Sequence, residues 1–254
     1  MAEKKISDIK QELDDISLES LDCFIEEYVN DGRPGVAKLI NQAVKRMDKL
    51  RVERERLEKL REFEHKYEQT YPNIAGIDEV GRGPLAGPVV TAAVILPKDC
   101  EILYINDSKK LSAKKREELY EEIMEKAVAV GIGMSSEARI DEINILQATY
   151  EAMRQAISEL SVAPDLLLND AVTIPGVDIK QVGIIKGDAK SISIGAASII
   201  AKVTRDRMME EYDKIYPEYG FAANKGYGTA EHIEALKKFG PCPIHRRSFI
   251  GNFV

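Results

Sequence analysis

Cysteine and histidine are scarce in this chain of 254 residues, and neither is grouped. The three cysteines, Cys23, Cys100 and Cys242, are isolated and odd in number, which argues against a disulfide framework. The three histidines, His65, His232 and His245, form no ligand pair, so a zinc site is not expected. No apolar run reaches the roughly 18 residues that suggest a membrane span. The N-terminus, Met1-Ala2-Glu3-Lys4-Lys5-Ile6, is charged and lacks the apolar centre of a signal peptide. There is no internal repeat and no low-complexity segment. Positive charge is also short, with 36 Lys and Arg against 43 Asp and Glu and a net charge of −7. That balance argues against a protein that grips nucleic acid through overall charge, although a local basic groove stays open. A hydrophobic content of 44% and a charged content of 31% fit a soluble globular chain, expected to be cytoplasmic and off the membrane.

What is present centres on one stretch, Ile74-Ala75-Gly76-Ile77-Asp78-Glu79-Val80-Gly81-Arg82-Gly83-Pro84-Leu85-Ala86-Gly87-Pro88-Val89-Val90. An apolar strand ends in two adjacent acids, a glycine-rich turn with one arginine follows, and a second apolar strand begins. Charges at the end of a buried strand cost several kcal/mol to desolvate unless paired. A divalent cation is one partner. A solvated hairpin turn accounts for the same residues equally well. With cysteine and paired histidine excluded, any metal would be held by oxygen ligands, which points to Mg²⁺ or Mn²⁺.

Residues 1–70 read as a helical N-terminal extension. Ile6, Ile9, Leu13 and Ile16 recur at helical spacing. Ser17 is placed to cap a second helix that buries Leu18, Leu21, Phe24, Ile25 and Tyr28. Asn30-Asp31-Gly32-Arg33-Pro34-Gly35 is a break, with Pro34 suited to a first turn. The pattern then runs as one helix from Val36 to about Tyr67. Its charged second half, from Arg51 to Glu62, is read as a solvated face with paired charges rather than a nucleic-acid surface. Tyr71-Pro72-Asn73 marks the boundary to residues 71–254.

Beyond that boundary the expected strands are 74–78, 88–97, 127–135, 166–168 and 182–185. Expected helices are 113–126 with Ser112 as cap, 140–160, 192–216 and 230–239. This order suggests an α/β or α+β core with a central mixed sheet. Asp170 repeats the placement of Asp78, an acid where an apolar strand runs out, and Asp188 sits just before the long helix. Each alone reads as a turn or cap residue. Together, four acids at element ends can converge on one sheet edge, where they would raise one another's pKa or hold two cations for phosphoryl transfer.

These residues resemble the signature of bacterial ribonuclease HII, a type 2 ribonuclease H. The resemblance begins at Ile77-Asp78-Glu79-Val80-Gly81-Arg82-Gly83-Pro84-Leu85-Ala86-Gly87-Pro88-Val89. It continues through Asp107-Ser108-Lys109-Lys110-Leu111-Ser112, Lys186-Gly187-Asp188 and the block from Ala196 to Asp206. It ends with Lys225-Gly226-Tyr227-Gly228-Thr229 and Ile244-His245-Arg246-Arg247-Ser248-Phe249. It implies a ribonuclease H-like α/β fold, a five-stranded mixed sheet flanked by helices, over residues 71–254. It also implies a Mg²⁺- or Mn²⁺-dependent endonuclease that hydrolyses the RNA strand of RNA–DNA hybrids. Such an enzyme incises 5′ of ribonucleotides embedded in duplex DNA, leaves 3′-hydroxyl and 5′-phosphate ends, and serves ribonucleotide removal and primer processing as a monomer. Asp78, Glu79, Asp170 and Asp188 carry over as catalytic metal ligands. Gly81, Arg82 and Gly83 carry over as the turn that meets the ribose 2′-OH, and Tyr227 as the tyrosine at the RNA-to-DNA junction.

Lys109, Lys110, Lys202, Arg205, Arg246 and Arg247 lie in matching blocks and are expected to hold phosphates, which position a duplex without reading its sequence. His245 reads as structural or as lining the groove, His232 as exposed on a helix, and Cys242 as a packed loop residue. Ribonuclease HIII shares the fold, but its turn departs from Gly81-Arg82-Gly83 and its N-terminal platform is β rather than helical. A non-catalytic hybrid-binding protein is disfavoured because all four acids are present. The N-terminal extension is expected to add modestly to binding.

Overall fold

Apolar spacing, turn residues and caps divide the chain into eleven helices and five strands among the described residues. The structure, a computed structural model, describes residues 4–254. It separates into two units, Met1–Glu58 and Lys59–Val254. No helix among the described residues is long and apolar enough to cross a membrane.

The first unit contains α1 (Ile6–Asp15), α2 (Leu21–Tyr28) and most of α3 (Pro34–Leu60), which Pro34 opens as expected. The helical spacing buries Ile9, Leu13, Leu21, Phe24, Tyr28, Val36, Leu39 and Ala43 in one cluster. The Tyr28 hydroxyl donates to Glu12 at 2.6 Å, and Lys4 pairs with the same carboxylate. Ser17 makes no side-chain cap; a 3₁₀ turn over Leu18–Ser20 precedes α2 instead. The charged half of α3 is a ladder of near neighbours, with Arg56 on Glu53 at 2.7 Å and Arg51 on Glu55 at 3.3 Å. The expected single helix to Tyr67 is interrupted at Arg61, whose ψ of 5° leaves the helical region, and α4 (Glu62–Tyr67) follows.

The second unit is built on a sheet of order β3-β2-β1-β4-β5. Its elements are β1 (Ile74–Val80), β2 (Val89–Ile95), α5 (Ala113–Lys126), β3 (Ala129–Ser135), α6 (Glu137–Ile143), α7 (Ile145–Ser158), β4 (Leu166–Asp170), β5 (Lys180–Ile184) and α8 (Ile192–Ile215), followed by α9 (Phe221–Asn224), α10 (Ala230–Phe239) and α11 (Arg247–Ile250). β2 is antiparallel to β1 and β3, while β1, β4 and β5 are parallel. This is the five-stranded mixed sheet flanked by helices that the sequence led us to expect.

α7 and α8 cover opposite faces. Strand alternation sends Ala75, Ile77 and Leu167 into the cluster that includes Met153 and Ala156 of α7. It sends Ile74, Leu166 and Leu168 into the cluster that includes Ile194 of α8. The first ten residues of α8, Ile192 to Ala201, are all buried, which is why they are apolar or small on every side. At Gly76 the strand meets this helix so closely that a Cβ would stand 2.1 Å from the Ser193 carbonyl carbon. The helix expected over 140–160 is two helices. Asn144 has a φ of 69°, and its side chain caps α7 by accepting from Leu146 and Gln147. Ser112 caps α5 as expected, accepting from Lys115.

Glu64 ties α4 to the start of α8. One carboxylate oxygen accepts from the Ser191 hydroxyl at 2.5 Å and from the amide and hydroxyl of Ser193 at 3.1 and 2.8 Å. Its position at a helix N-terminus also suits a negative charge. Glu64→Ala is therefore expected to cost about 2–3 kcal/mol, read as a lower urea midpoint at unchanged slope.

Candidate active site

Parallel strands release their carboxyl ends at one edge of a sheet, where open α/β folds bind ligands. Here β1, β4 and β5 do so together. Ile77 pairs with Asn169, so the next residues, Asp78 and Asp170, stand side by side where the parallel pairing ends. By alternation both stand on the face of Gly76 and Leu168, under α8. Asp188 lies in the 3₁₀ turn Gly187–Ala189 that joins β5 to α8. Asp170 accepts from the Gly187 amide at 2.8 Å, which binds that turn to the end of β4. The sheet thus gathers all four acids that the sequence singled out.

Asp78 is 8% exposed. Burial, reinforced by the charge of Glu79, holds its pKa well above the ordinary aspartate value, against bonds from Ser198 and the Glu79 amide. Ser198 bonds in turn to Ser108 at 2.9 Å, so the Asp107–Leu111 loop stands behind Asp78. Glu79 is raised by burial and by Asp170, and is relieved by Arg82, which approaches it at 3.3 Å. Asp188 is raised by burial first, then by Asp107 and Asp170, with Lys109 opposing. Asp107 is a fifth acid at this edge. It caps the 3₁₀ turn over Ser108–Lys110, accepting from the Lys109 amide at 3.0 Å. Only the fold brings its charge to Asp188.

The donor set is oxygen alone. Oε2 of Glu79 is buried without a hydrogen-bond partner, and burial with the neighbouring acids pushes Asp78, Glu79 and Asp188 towards the neutral form. A buried acceptor of this kind calls for a cation. Among the described residues no three His, Cys, Asp or Glu side chains stand close enough together to hold a metal ion by themselves. The chemistry of the acids, all oxygen donors, fits Mg²⁺ or Mn²⁺.

The loop after Glu79 is shaped from inside by two arginines that sequence reasoning assigned to phosphates. Arg205 and Arg246 are both 0% exposed. Arg246 donates to Gly81 O at 2.6 Å, to Arg82 O at 3.0 Å, and to Gly87 O at 2.9 and 2.7 Å. Arg205 donates to Pro88 O at 2.9 Å, Ala86 O at 3.0 Å and Lys225 O at 2.8 Å. Burial lowers the pKa of both, but a guanidinium stays protonated in proteins, and its N–H groups donate to the carbonyls around it. Gly81 is required here: its φ is +91°, and a Cβ would stand 2.3 Å from Arg205 Nε. A trans peptide points its C=O and the following N–H in opposite directions. With the Gly81 and Arg82 carbonyls turned in to Arg246, the amides of Arg82 and Gly83 are turned away from it.

The expectation that Arg205 and Arg246 meet phosphates is therefore corrected, since a guanidinium enclosed by carbonyls has no face left for one. Lys202 is also engaged, on Asp206 at 2.6 Å and mostly buried. Lys109, Lys110 and Arg247 are exposed. Tyr227 is 43% exposed, and its ring lies beside Gly83, where a Cβ would stand 3.8 Å from Tyr227 Cε1. The Leu85 amide donates to Gly226 O at 2.8 Å, so the tyrosine turn and the glycine loop are bonded together. His232, expected to be exposed, is fully buried, as is His245.

Comparison with known proteins shows the family and the fold. The family model described as Ribonuclease HII matches residues 75–252, and the model described as Ribonuclease HII N-terminal domain matches residues 5–68. The chain is 65% identical over 250 residues to the Ribonuclease HII of Lachnoclostridium phytofermentans, covering 98% of each protein. It is 52% identical over 255 residues to that of Clostridioides difficile, covering 100% of each. Among solved structures, the ribonuclease H2 from Pyrococcus horikoshii OT3 superposes with a TM-score of 0.59 at 30% identity, covering 69% of this chain and 93% of that one.

Proposed function

The chain belongs to the ribonuclease HII family and is a ribonuclease H endonuclease, and from that premise we propose that it hydrolyses the RNA strand of RNA–DNA hybrids and incises 5′ of ribonucleotides embedded in duplex DNA. The observation that carries this reading is the strand-end set of Asp78, Glu79, Asp170 and Asp188 beside a loop whose amides face outward. These four acids would hold the Mg²⁺ or Mn²⁺ ions. When bound, such cations stabilise charge on the scissile phosphate and promote ionisation of an attacking water. Water adds to phosphorus and the P–O3′ bond breaks, leaving a 3′-hydroxyl and a 5′-phosphate. The protein's own part is placement. Gly187 and Ser198 orient the carboxylates of Asp170 and Asp78. The outward amides of Arg82 and Gly83 offer donors to a ribose 2′-oxygen, which deoxyribose lacks. Tyr227 offers an aromatic face to the neighbouring nucleotide, and Lys109 a charge for a phosphate.

We place the catalytic module at residues 71–254 and the helical extension at residues 1–70, acting as a monomer in the cytoplasm in ribonucleotide removal and primer processing. The extension adds modestly to binding. A groove in the first unit lined by Asp8, Glu12, Asp15 and Glu27 has the wrong charge for nucleic acid and would take no part in that.

The deciding experiment is incision of a DNA duplex carrying one ribonucleotide, with Mg²⁺ and with chelator, using the full chain. Metal-dependent cutting on the 5′ side of the ribonucleotide is expected, and no cutting would overturn the reading. Tyr227→Ala is expected to lower kcat/KM on the single-ribonucleotide duplex by about tenfold or more, because base–aromatic stacking contributes ~1–3 kcal/mol, and to affect a long hybrid less. Equal losses on both substrates would count against a junction role.

A further inference from the structure

Tyr227 is held from beneath by two buried histidines whose hydrogen bonds permit one proton arrangement. The Cys242 amide donates to His245 Nδ1 at 3.0 Å. A backbone N–H can only donate, so this nitrogen carries no proton and the neutral ring bears its proton on Nε2. His245 Nε2 lies 3.0 Å from His232 Nε2, which must accept and therefore is also bare. The proton of His232 is then on Nδ1, which lies 2.8 Å from the Tyr227 carbonyl oxygen and donates to it. The direction is set throughout: Cys242 N–H to His245, His245 to His232, His232 to Tyr227.

The surroundings keep both rings neutral. Tyr219 lies 4.9 Å from His245 and Phe221 lies 5.3 Å from His232, ring centre to ring centre. Burial lowers both pKa values, that of His245 to about 4. A second proton on either ring would set two donors against each other. The start of the chain of bonds is equally fixed. Cys242 belongs to the segment that carries His245 and Arg246, and Ala86 forms a β-bridge with His245. The same segment therefore sets the glycine loop through Arg246 and Tyr227 through the histidines.

We propose that His232 and His245 are positioning residues, a directional imidazole relay that fixes Tyr227 against Gly83 and thereby sets the preference for a single embedded ribonucleotide over a long hybrid. This inference rests on the junction role of Tyr227 given above. Packing alone does not require it, because two polar rings in an apolar cage gain nothing over apolar rings of similar volume unless their bonds serve a purpose.

The test combines spectroscopy with substrate selectivity in the full-length enzyme. Nitrogen-15 NMR of histidine side chains at neutral pH is expected to show His232 protonated on Nδ1 and His245 on Nε2. The opposite tautomers, or averaged ones, would overturn the relay. The second readout is the ratio of kcat/KM on a single-ribonucleotide duplex to that on a long hybrid. His232→Leu is expected to lower this ratio about tenfold, the effect of one lost hydrogen bond at the junction residue. His232→Asn, whose amide reaches the Nδ1 position, should restore the ratio, and His232→Gln, whose amide reaches only the Nε2 position, should not. If Tyr227→Ala lowers the ratio while His232→Leu leaves it unchanged, the inference fails and the junction reading stands. If Tyr227→Ala itself leaves the ratio unchanged, the junction reading fails and takes the inference with it. If His232→Leu does not fold, the Asn and Gln variants decide, and equal ratios for the two would overturn the relay.

Discussion

Asp78→Asn is expected to lower metal-dependent cleavage by about a thousandfold or more while leaving the fold intact. Asp78 lies near the end of the central strand beside Asp170, and its loss removes the most buried oxygen donor of the set. Its effect on stability should run the other way. Without metal, burial and Glu79 hold the Asp78 pKa well above 3.8. The unfolded chain therefore ionises first as pH rises. Stability is lost between the unfolded and folded pKa values, and the penalty is complete above the folded one. Asparagine carries no such penalty. In metal-free buffer at neutral pH the variant should melt at or above the wild-type temperature, and the gap should close on acidification through the folded pKa of Asp78. Added Mg²⁺ should raise the wild-type Tm more than that of the variant. Wild-type turnover in the variant would sink the assignment, and a large fall in metal-free Tm would make Asp78 a structural residue.

Arg246→Ala is expected to cost about 3–5 kcal/mol, because it strands the carbonyls of Gly81, Arg82 and Gly87 inside the protein. In a chain of this size that lowers Tm by roughly 10 °C or more. Arg246→Lys should rescue little, since a single ammonium cannot span three carbonyls as a planar fork does. Thermal melting beside a salt titration of hybrid binding separates this from a phosphate role. A phosphate ligand would leave Tm nearly unchanged and make the salt slope shallower by about 0.9 for each phosphate no longer neutralised. That pattern would overturn the assignment of Arg246 to the loop.

The central sheet was legible because its strands are short apolar runs bounded by turns, and three of them end at or just before an acid. Asp78, Asp170 and Asp188 each read alone as a turn or cap residue, and the resemblance to ribonuclease HII singled them out as a set. Arg205 and Arg246 were misread because sequence shows a side chain's charge and not its direction. Their acceptors lie between residues 81 and 88 and at Lys225, far away along the chain. His232 was misread for a related reason, since its partner His245 is 13 residues away on another segment. The break at Asn144 was missed because an apolar period continues through it, although Asn tolerates the left-handed region that stops a helix.

The inward-turned loop has a consequence for altering sugar preference. If main-chain amides feel the ribose, no substitution at Arg82 or Gly83 replaces the sensing atoms, because every residue but proline supplies the same N–H. Besides Tyr227, discrimination would then be set by groups that never touch the nucleic acid. Arg205 and Arg246, through the peptide planes whose carbonyls they hold, would adjust the enzyme's choice of sugar from the interior.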